Sequence, residues 1–241
     1  MLEIKQVNKF YKQYQACCDI TMHFSEDKIV GLFGANGAGK STCFHIMTGL
    51  ITPDSGKVLL GDTDITSYPI YKRAEVGLSF LPQDKSIFLG LTVEQNIMSV
   101  LELSKKSTDE KKNRLEMLID EFSLSKVRHT LGSLLSGGER RRTEIARTMA
   151  NNPKFILLDE PFSGVDPISI QEIKNLLHTI QKKDKVGILI SDHNVSATLP
   201  ICDYAYIMHL GKVLAEGTPN EISKNDKAQK YYLGDSLKTL S

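Results

Sequence analysis

Residues 29–42 read IVGLFGANGAGKST. An apolar run stops at a glycine-rich turn, and STCFHIMTGL follows at once with helical composition. That is the strand, loop and helix setting of a phosphate-binding loop, and Gly34 to Ser41 match its G-x-x-x-x-G-K-S spacing. Gly34, Gly37 and Gly39 let backbone N–H groups curl around phosphate without interference from Cβ, with Ala35, Asn36 and Ala38 between them, and the helix start adds partial positive charge. Lys40 is expected to reach the β and γ phosphates, Ser41 to place its hydroxyl on Mg²⁺, and Thr42 to contact a phosphate.

Outward from this loop, residues 2–8 and 18–33 alternate as strands do, and KVLLG (57–61) and GLSFL (77–81) read as further strands. From Val93 to about Leu124 the pattern turns helical, with Leu115, Leu118, Ile119 and Phe122 at helical spacing. Lys105 to Arg114 reads as a charged link, a solvated turn and helix face. After Ser136 a helix, the strand FILLDE, another helix and the strand VGILIS follow. Strands alternating with helices predict parallel βαβ units with helices on both faces, into which a helical segment is inserted.

The totals narrow the class. The 241 residues suit one well-filled α/β domain, and 41% apolar with 24% charged residues is ordinary globular usage. Thirty Lys and Arg against 29 Asp and Glu leave no basic field for a polyanion, so no nucleic acid partner is expected. Cys17, Cys18, Cys43 and Cys202 form no CxxC pair and read as structural thiols of a reducing compartment. MLEIKQVNKFYK lacks the apolar core of a signal peptide, and no apolar run nears the ~20 residues that span a bilayer. A cytoplasmic, soluble chain is the expectation.

Two strands deliver acids to the expected ligand side of the sheet. Asp159 and Glu160 follow the apolar run 155–158, where Asp159 suits a magnesium contact through water and Glu160 suits polarising the water that attacks the γ-phosphate. Ser191, Asp192 and His193 end the next apolar strand in the same layer. Gln83, in FLPQD, reads either as a turn amide or as a side chain reaching Mg²⁺ and the attacking water. Tyr11 reads either as core or as a ring stacked on a nucleotide base.

A second anion site is suggested by LLSGGERRR (134–142). Ser136 and Glu139 have the spacing of a capping box that starts a helix. That leaves Gly137 and Gly138 unexplained, because glycine in a first helical turn costs up to about 1 kcal/mol against alanine. A phosphate approached closely by backbone N–H groups would account for both.

LSGGE together with the phosphate loop, FILLDEP and a histidine some thirty residues later resembles the ATP-binding cassette ATPases, over nearly the whole chain. The resemblance implies an α/β fold: a P-loop NTPase core with a parallel sheet (1–83 and about 137–241), an antiparallel β subdomain, an inserted helical subdomain (about 84–136) and a C-terminal extension (about 225–241). It implies ATP and Mg²⁺ as ligands. It also implies a homodimer packed head to tail, in which Ser136, Gly137 and Gly138 of one copy grip the γ-phosphate held by the other. Gln83 then lies in the loop between core and helical subdomain, SGVD (163–166) is a dimer contact, and His193 is the γ-phosphate switch histidine.

SGGERRRTEIAR, FILLDEPFSGVDPISIQEIK, DHNVSATL and YYLGDSL look more narrowly like the ATPase subunits of bacterial lipopolysaccharide exporters. That likeness implies a pair of ATPase subunits on the cytoplasmic face of the inner membrane. Two permease subunits would dock near Phe88 and pass lipid toward a periplasmic bridge. Leu89 stands where many relatives are expected to carry a basic residue, a departure that bears on the polar half of that docking contact and leaves Phe88 as its apolar half. Other readings are the ATPase of a branched-chain amino-acid importer and a soluble cassette protein outside transport. The short insertion between Gln83 and Ser136 and the single phosphate loop speak against the latter, and Glu160 speaks against a scaffold without hydrolysis.

Overall fold

Strands buried on both faces organise the chain. In the computed structural model, which describes residues 1–230, β1 (Leu2–Tyr11) and β2 (Tyr14–Phe24) form a hairpin, and β3 (Ile29–Gly34) leads into α1 (Lys40–Thr48). Next come β4 (Ser55–Leu60), β5 (Thr63–Asp64), α2 (Ile70–Glu75) and β6 (Leu78–Leu81), then α3 (Val93–Leu101) and α4 (Thr108–Glu121). The rest is α5 (Gly137–Met149), β7 (Phe155–Asp159), α6 (Pro167–Asp184), β8 (Gly187–Asp192), α7 (Val195–Thr198), β9 (Tyr204–His209), β10 (Lys212–Gly217), α8 (Pro219–Lys224) and α9 (Asp226–Ala228).

Two sheets result. One has the order β2-β1-β4-β5 and is antiparallel; the other has the order β10-β9-β3-β8-β7-β6, parallel except for the edge strand β10. Period-two alternation divides the core between them. Ile156, Leu158, Ile188 and Ile190 point to the core shared with α3, α4, α5 and α6, whereas Leu157, Leu189, Val30 and Leu32 point to the core shared with α1 and the antiparallel sheet.

Several boundaries differ from the sequence reading. The run 18–33 is two strands, because the chain turns at Asp27, which takes a left-handed φ of 59° and donates its N–H to Lys185 O at 3.1 Å. The helical stretch 93–124 is likewise two helices, and most of the charged link 105–114 belongs to α4. Ser107 starts α4: its hydroxyl accepts from Glu110 N while the Glu110 carboxylate accepts from Ser107 N. Residues 84–136 thus form a helical layer whose α3 and α4 pack on α5. Of the C-terminal extension, YYLGDSL lies outside the described residues. The four thiols are free, with Cys17, Cys43 and Cys202 buried.

Arg73 of α2 anchors the far end of the phosphate-loop helix. Its side chain is buried and donates to Ile46 O and Met47 O in the last turn of α1 at 2.6 and 2.7 Å, and to Tyr68 O and Thr66 O, both at 2.9 Å. A cation there suits the negative helix end, although burial pushes the guanidinium pKa down to about 10. Arg73→Met leaves these carbonyls unpaired, so a loss of about 3 kcal/mol is expected, or roughly 6–12 °C in Tm. Calorimetry checks it, and a fall under about 2 °C would contradict the anchoring role.

Candidate active site

The sheet order sets β3, β8, β7 and β6 side by side, so the segments leaving their C-terminal ends meet along one edge. Open α/β sheets bind ligands at that edge. From β3 comes the phosphate loop. Its last turn is close-packed: Gly39 has φ 103°, and a Cβ there would lie 2.4 Å from Ala16 O, so only glycine fits. Lys40 is buried and folds back on the loop, donating to Gly34 O at 2.6 Å and Ala35 O at 3.2 Å. Burial lowers its pKa, an effect opposed by the carboxylates of Glu160, Asp159 and Asp192.

From β7 come the two acids. Asp159 is buried and accepts a hydrogen bond from Ser191 Oγ on the neighbouring strand. Glu160 leaves the strand with a left-handed φ of 46°, held there as its N–H donates to Ser191 O at 3.1 Å and Ser191 Oγ at 3.2 Å. A bulky residue in that conformation is strained and persists only where its surroundings enforce it. The turn aims the carboxylate back over the sheet edge. Gln83 Nε2 donates to Glu160 Oε2 at 2.9 Å, and His193 Nδ1 lies 3.5 Å from Glu160 Oε1. Gln83, Glu160 and His193, far apart in sequence, therefore touch.

A depression of about 280 Å³ opens beside them, lined by Tyr11, Tyr14, Ala16, Asn36, Gly37, Ala38, Gly39, Lys40, Ser41, Thr42, Gln83 and Glu160. Tyr11 is thus at the loop rather than in the core. Ser136, Gly137 and Gly138 are not among the lining residues of this chain. They begin α5, where Ser136 caps Glu139 N and the Glu139 carboxylate accepts from Ser136 N and Oγ, which completes the capping box. Gly138 has a reason within its own chain: a Cβ there would meet Ser169 Oγ at 2.2 Å. Gly137 is less constrained, since its Cβ would meet Gly164 O at 3.1 Å. Of the two glycines, it is Gly137 whose missing side chain packing explains least.

Other residues of the site escaped the sequence reading. Arg141 is buried and donates to Pro161 O at 2.8 Å, Glu160 O at 3.0 Å and Asp159 O at 3.3 Å, and it pairs with buried Glu144 at 3.0 Å. Glu144 in turn accepts from Ser86 N at 2.9 Å. One ion pair thus ties the turn at Glu160, helix α5 and the loop after Gln83 together. The i,i+3 spacing of Arg141 and Glu144 was the available signal, masked by the neighbouring arginines. On β8, Asp192 is held by Asn194 N at 2.8 Å and Thr198 Oγ1 at 2.5 Å, which fixes the backbone on which His193 sits.

A P-loop at the head of a parallel sheet, an antiparallel sheet beside it and a helical layer ending in LSGGE define an ATP-binding cassette, and the chain belongs to the ABC transporter family: the profile described as "ABC transporter" matches residues 17–163. It is a transport ATPase that binds and hydrolyses ATP. The chain is 45% identical over 239 residues to the lipopolysaccharide export system ATP-binding protein LptB of Haemophilus influenzae, covering 99% of both chains. It is 43% identical to LptB of Escherichia coli over 98% of each. Among solved structures it resembles cbiO1 of Clostridium perfringens, part of the cbiONQ ABC transporter complex, with 28% identity, a TM-score of 0.85 and coverage of 95% of this chain and 92% of that one. It also resembles the dimeric post-hydrolysis state of the cassette MJ0796 bound to ADP and Pi, with 25% identity, a TM-score of 0.80 and coverage of 91% and 99%. Cassettes of this family dimerise and work with membrane permease subunits. Among the described residues no helix is long and apolar enough to cross a membrane.

Proposed function

We propose that this chain is the ATPase subunit that powers extraction of lipopolysaccharide from the bacterial inner membrane, working as a homodimer on the cytoplasmic face beneath two permease subunits that lead to a periplasmic bridge. The observation that carries the substrate is the identity of 43–45% with lipopolysaccharide-export ATPases, sustained across at least 98% of this chain and of each relative. A branched-chain amino-acid importer shares the motifs but not that support. Affinity purification of the tagged chain from mild detergent tests it. Two integral membrane subunits that release lipopolysaccharide in an ATP-dependent way are expected, and copurification with an amino-acid permease would overturn it.

For hydrolysis, the contact of Gln83, Glu160 and His193 beside the phosphate loop supports the following roles. Tyr11 stacks on the base, and the loop from Gly34 to Thr42 wraps the phosphates. Lys40 exchanges the carbonyls of Gly34 and Ala35 for phosphate oxygens, which replaces two neutral acceptors by charged ones. Glu160, oriented by Gln83, takes the proton of the attacking water, and His193 contacts the γ-phosphate. Ser41, Gln83 and Asp159 offer only oxygen donors, the set that suits Mg²⁺. Among the described residues no cluster of three or more His, Cys, Asp or Glu could hold a metal by itself, which accords with an ion held largely by substrate phosphates. When bound, it would neutralise charge on the transferring phosphoryl group. Ser136, Gly137 and Gly138 of a second copy complete the site.

The permease contact is read at Phe88 and Leu89, each 51% exposed. Although Leu89 brings no charge, the Arg147 guanidinium lies over the Phe88 ring, 4.7 Å from its centroid, and donates to Ser86 O at 2.5 Å. That supplies a cation beside the apolar anchor. Phe88→Ala is therefore expected to weaken permease association by about 2 kcal/mol, roughly 30-fold, as loss of a buried aromatic anchor does. ATPase activity of the isolated chain should stay near that of the parent. Equal recovery of permeases with variant and parent would count against the assignment.

A further inference from the structure

The β1–β2 hairpin reaches the phosphate loop through a tyrosine that the reading above leaves idle. Tyr11 and Tyr14 face each other as the last pair of the ladder, and both line the depression. Tyr14 Oη donates to Gly37 O at 2.9 Å, at the apex of the phosphate loop. On its Cα side the apex is uncovered, since a Cβ on Gly37 would find nothing within 4 Å. Farther along β2 the backbone supports the loop again. Ala16 O lies 2.4 Å from where a Cβ of Gly39 would be, and Cys18 N donates to Gly211 O at 2.8 Å while Gly211 N donates to Ala38 O at 3.0 Å. Alternate residues 14, 16 and 18 of one strand thus brace successive parts of the loop.

We propose that Tyr14 is a positioning residue for nucleotide binding: its hydroxyl pins the peptide plane between Gly37 and Ala38, so that the loop is held ready for phosphate before nucleotide arrives. The same plane carries Ala38 N, which donates to Ala35 O at 3.1 Å, so the bond from Tyr14 sets both sides of the apex. Preorganisation of this kind lowers the ordering cost of binding. It acts on the phosphate chain and not on the base, which separates Tyr14 from Tyr11 across the ladder. The inference rests on the phosphate-loop reading.

The test uses Tyr14→Phe, which keeps the ring and removes the hydroxyl, with Tyr11→Ala as contrast. Binding of ATP and of inorganic tripolyphosphate is measured by calorimetry on the full chain, along with KM and kcat for ATP. Tyr14→Phe is expected to weaken both ligands by the same factor, about three- to tenfold, the range of one net hydrogen bond. KM should rise by that factor while kcat stays within about twofold, as loss of uniform binding does. Tyr11→Ala should weaken ATP alone. Parent-like affinity of Tyr14→Phe for both ligands would overturn the inference. So would a loss confined to ATP, which would make Tyr14 a base contact, or a fall in kcat at unchanged KM, the mark of fewer correctly folded molecules. A parent chain that binds neither ligand would instead remove the phosphate-loop reading.

Discussion

Glu160→Gln is expected to bind ATP as the parent does and to hydrolyse it about 10²–10⁴-fold more slowly, the range that a positioned general base contributes. The amide can still accept from Gln83 Nε2 and keep the side chain's place over the sheet edge. The backbone that aims it is held independently, by Ser191 on its N–H and Arg141 on its carbonyl. What is lost is the capacity to take a proton from water. Phosphate release at saturating ATP measures this, and a fall of less than about tenfold would remove Glu160 from the role of base.

Lys40→Ala is expected to act on binding. The ammonium is buried beneath the loop and faces the carboxylates of Glu160, Asp159 and Asp192. Without it, a triphosphate would enter a pocket whose nearest fixed charges are all negative. Truncating one partner of a buried charged pair costs about 2–5 kcal/mol, or roughly 30- to 4,000-fold in Kd. Titration with a fluorescent ATP analogue checks it, and affinity within about threefold of the parent would contradict the placement of Lys40 on the phosphates.

What could be read ahead of the structure was what neighbours in sequence decide. The runs before Gly34, Asp159 and Ser191 carry no polar side chain, as strands covered on both faces must not, and so the sheet and its ligand-side edge were legible. The capping box at Ser136 was legible for the same reason. Conformations imposed by distant partners were not. Nothing near Glu160 announces its left-handed turn, which Ser191 enforces from another strand. Arg141 lies in a run of three arginines that gives no sign of which one is internal, yet it is buried against the backbone of Asp159, Glu160 and Pro161. Gly138 read as glycine for the sake of a phosphate, and the sequence could not show that Ser169, thirty-one residues on, by itself leaves no room for a side chain there. Tyr14 gave no signal, because its bond to Gly37 depends on how the hairpin packs on the loop.

The tighter packing at Gly138 makes Gly137 the position at which a composite site, shared between two copies of the chain, is best tested. In Glu160→Gln, ATP persists, and ligand held between two chains should stabilise their association by mass action. Adding Gly137→Asp sets a carboxylate where the partner's γ-phosphate would approach, at a position where a Cβ needs Gly164 O, 3.1 Å away, to give by only a few tenths of an ångström. Light scattering with ATP and magnesium, alongside nucleotide binding and thermal melting of both variants, gives the decisive mass. The expected result is a dimer for Glu160→Gln and a monomer that still binds ATP and melts normally for Glu160→Gln with Gly137→Asp. A double variant that dimerises as fully as the single one would mean that LSGGE only starts a helix and that each chain holds its ATP alone.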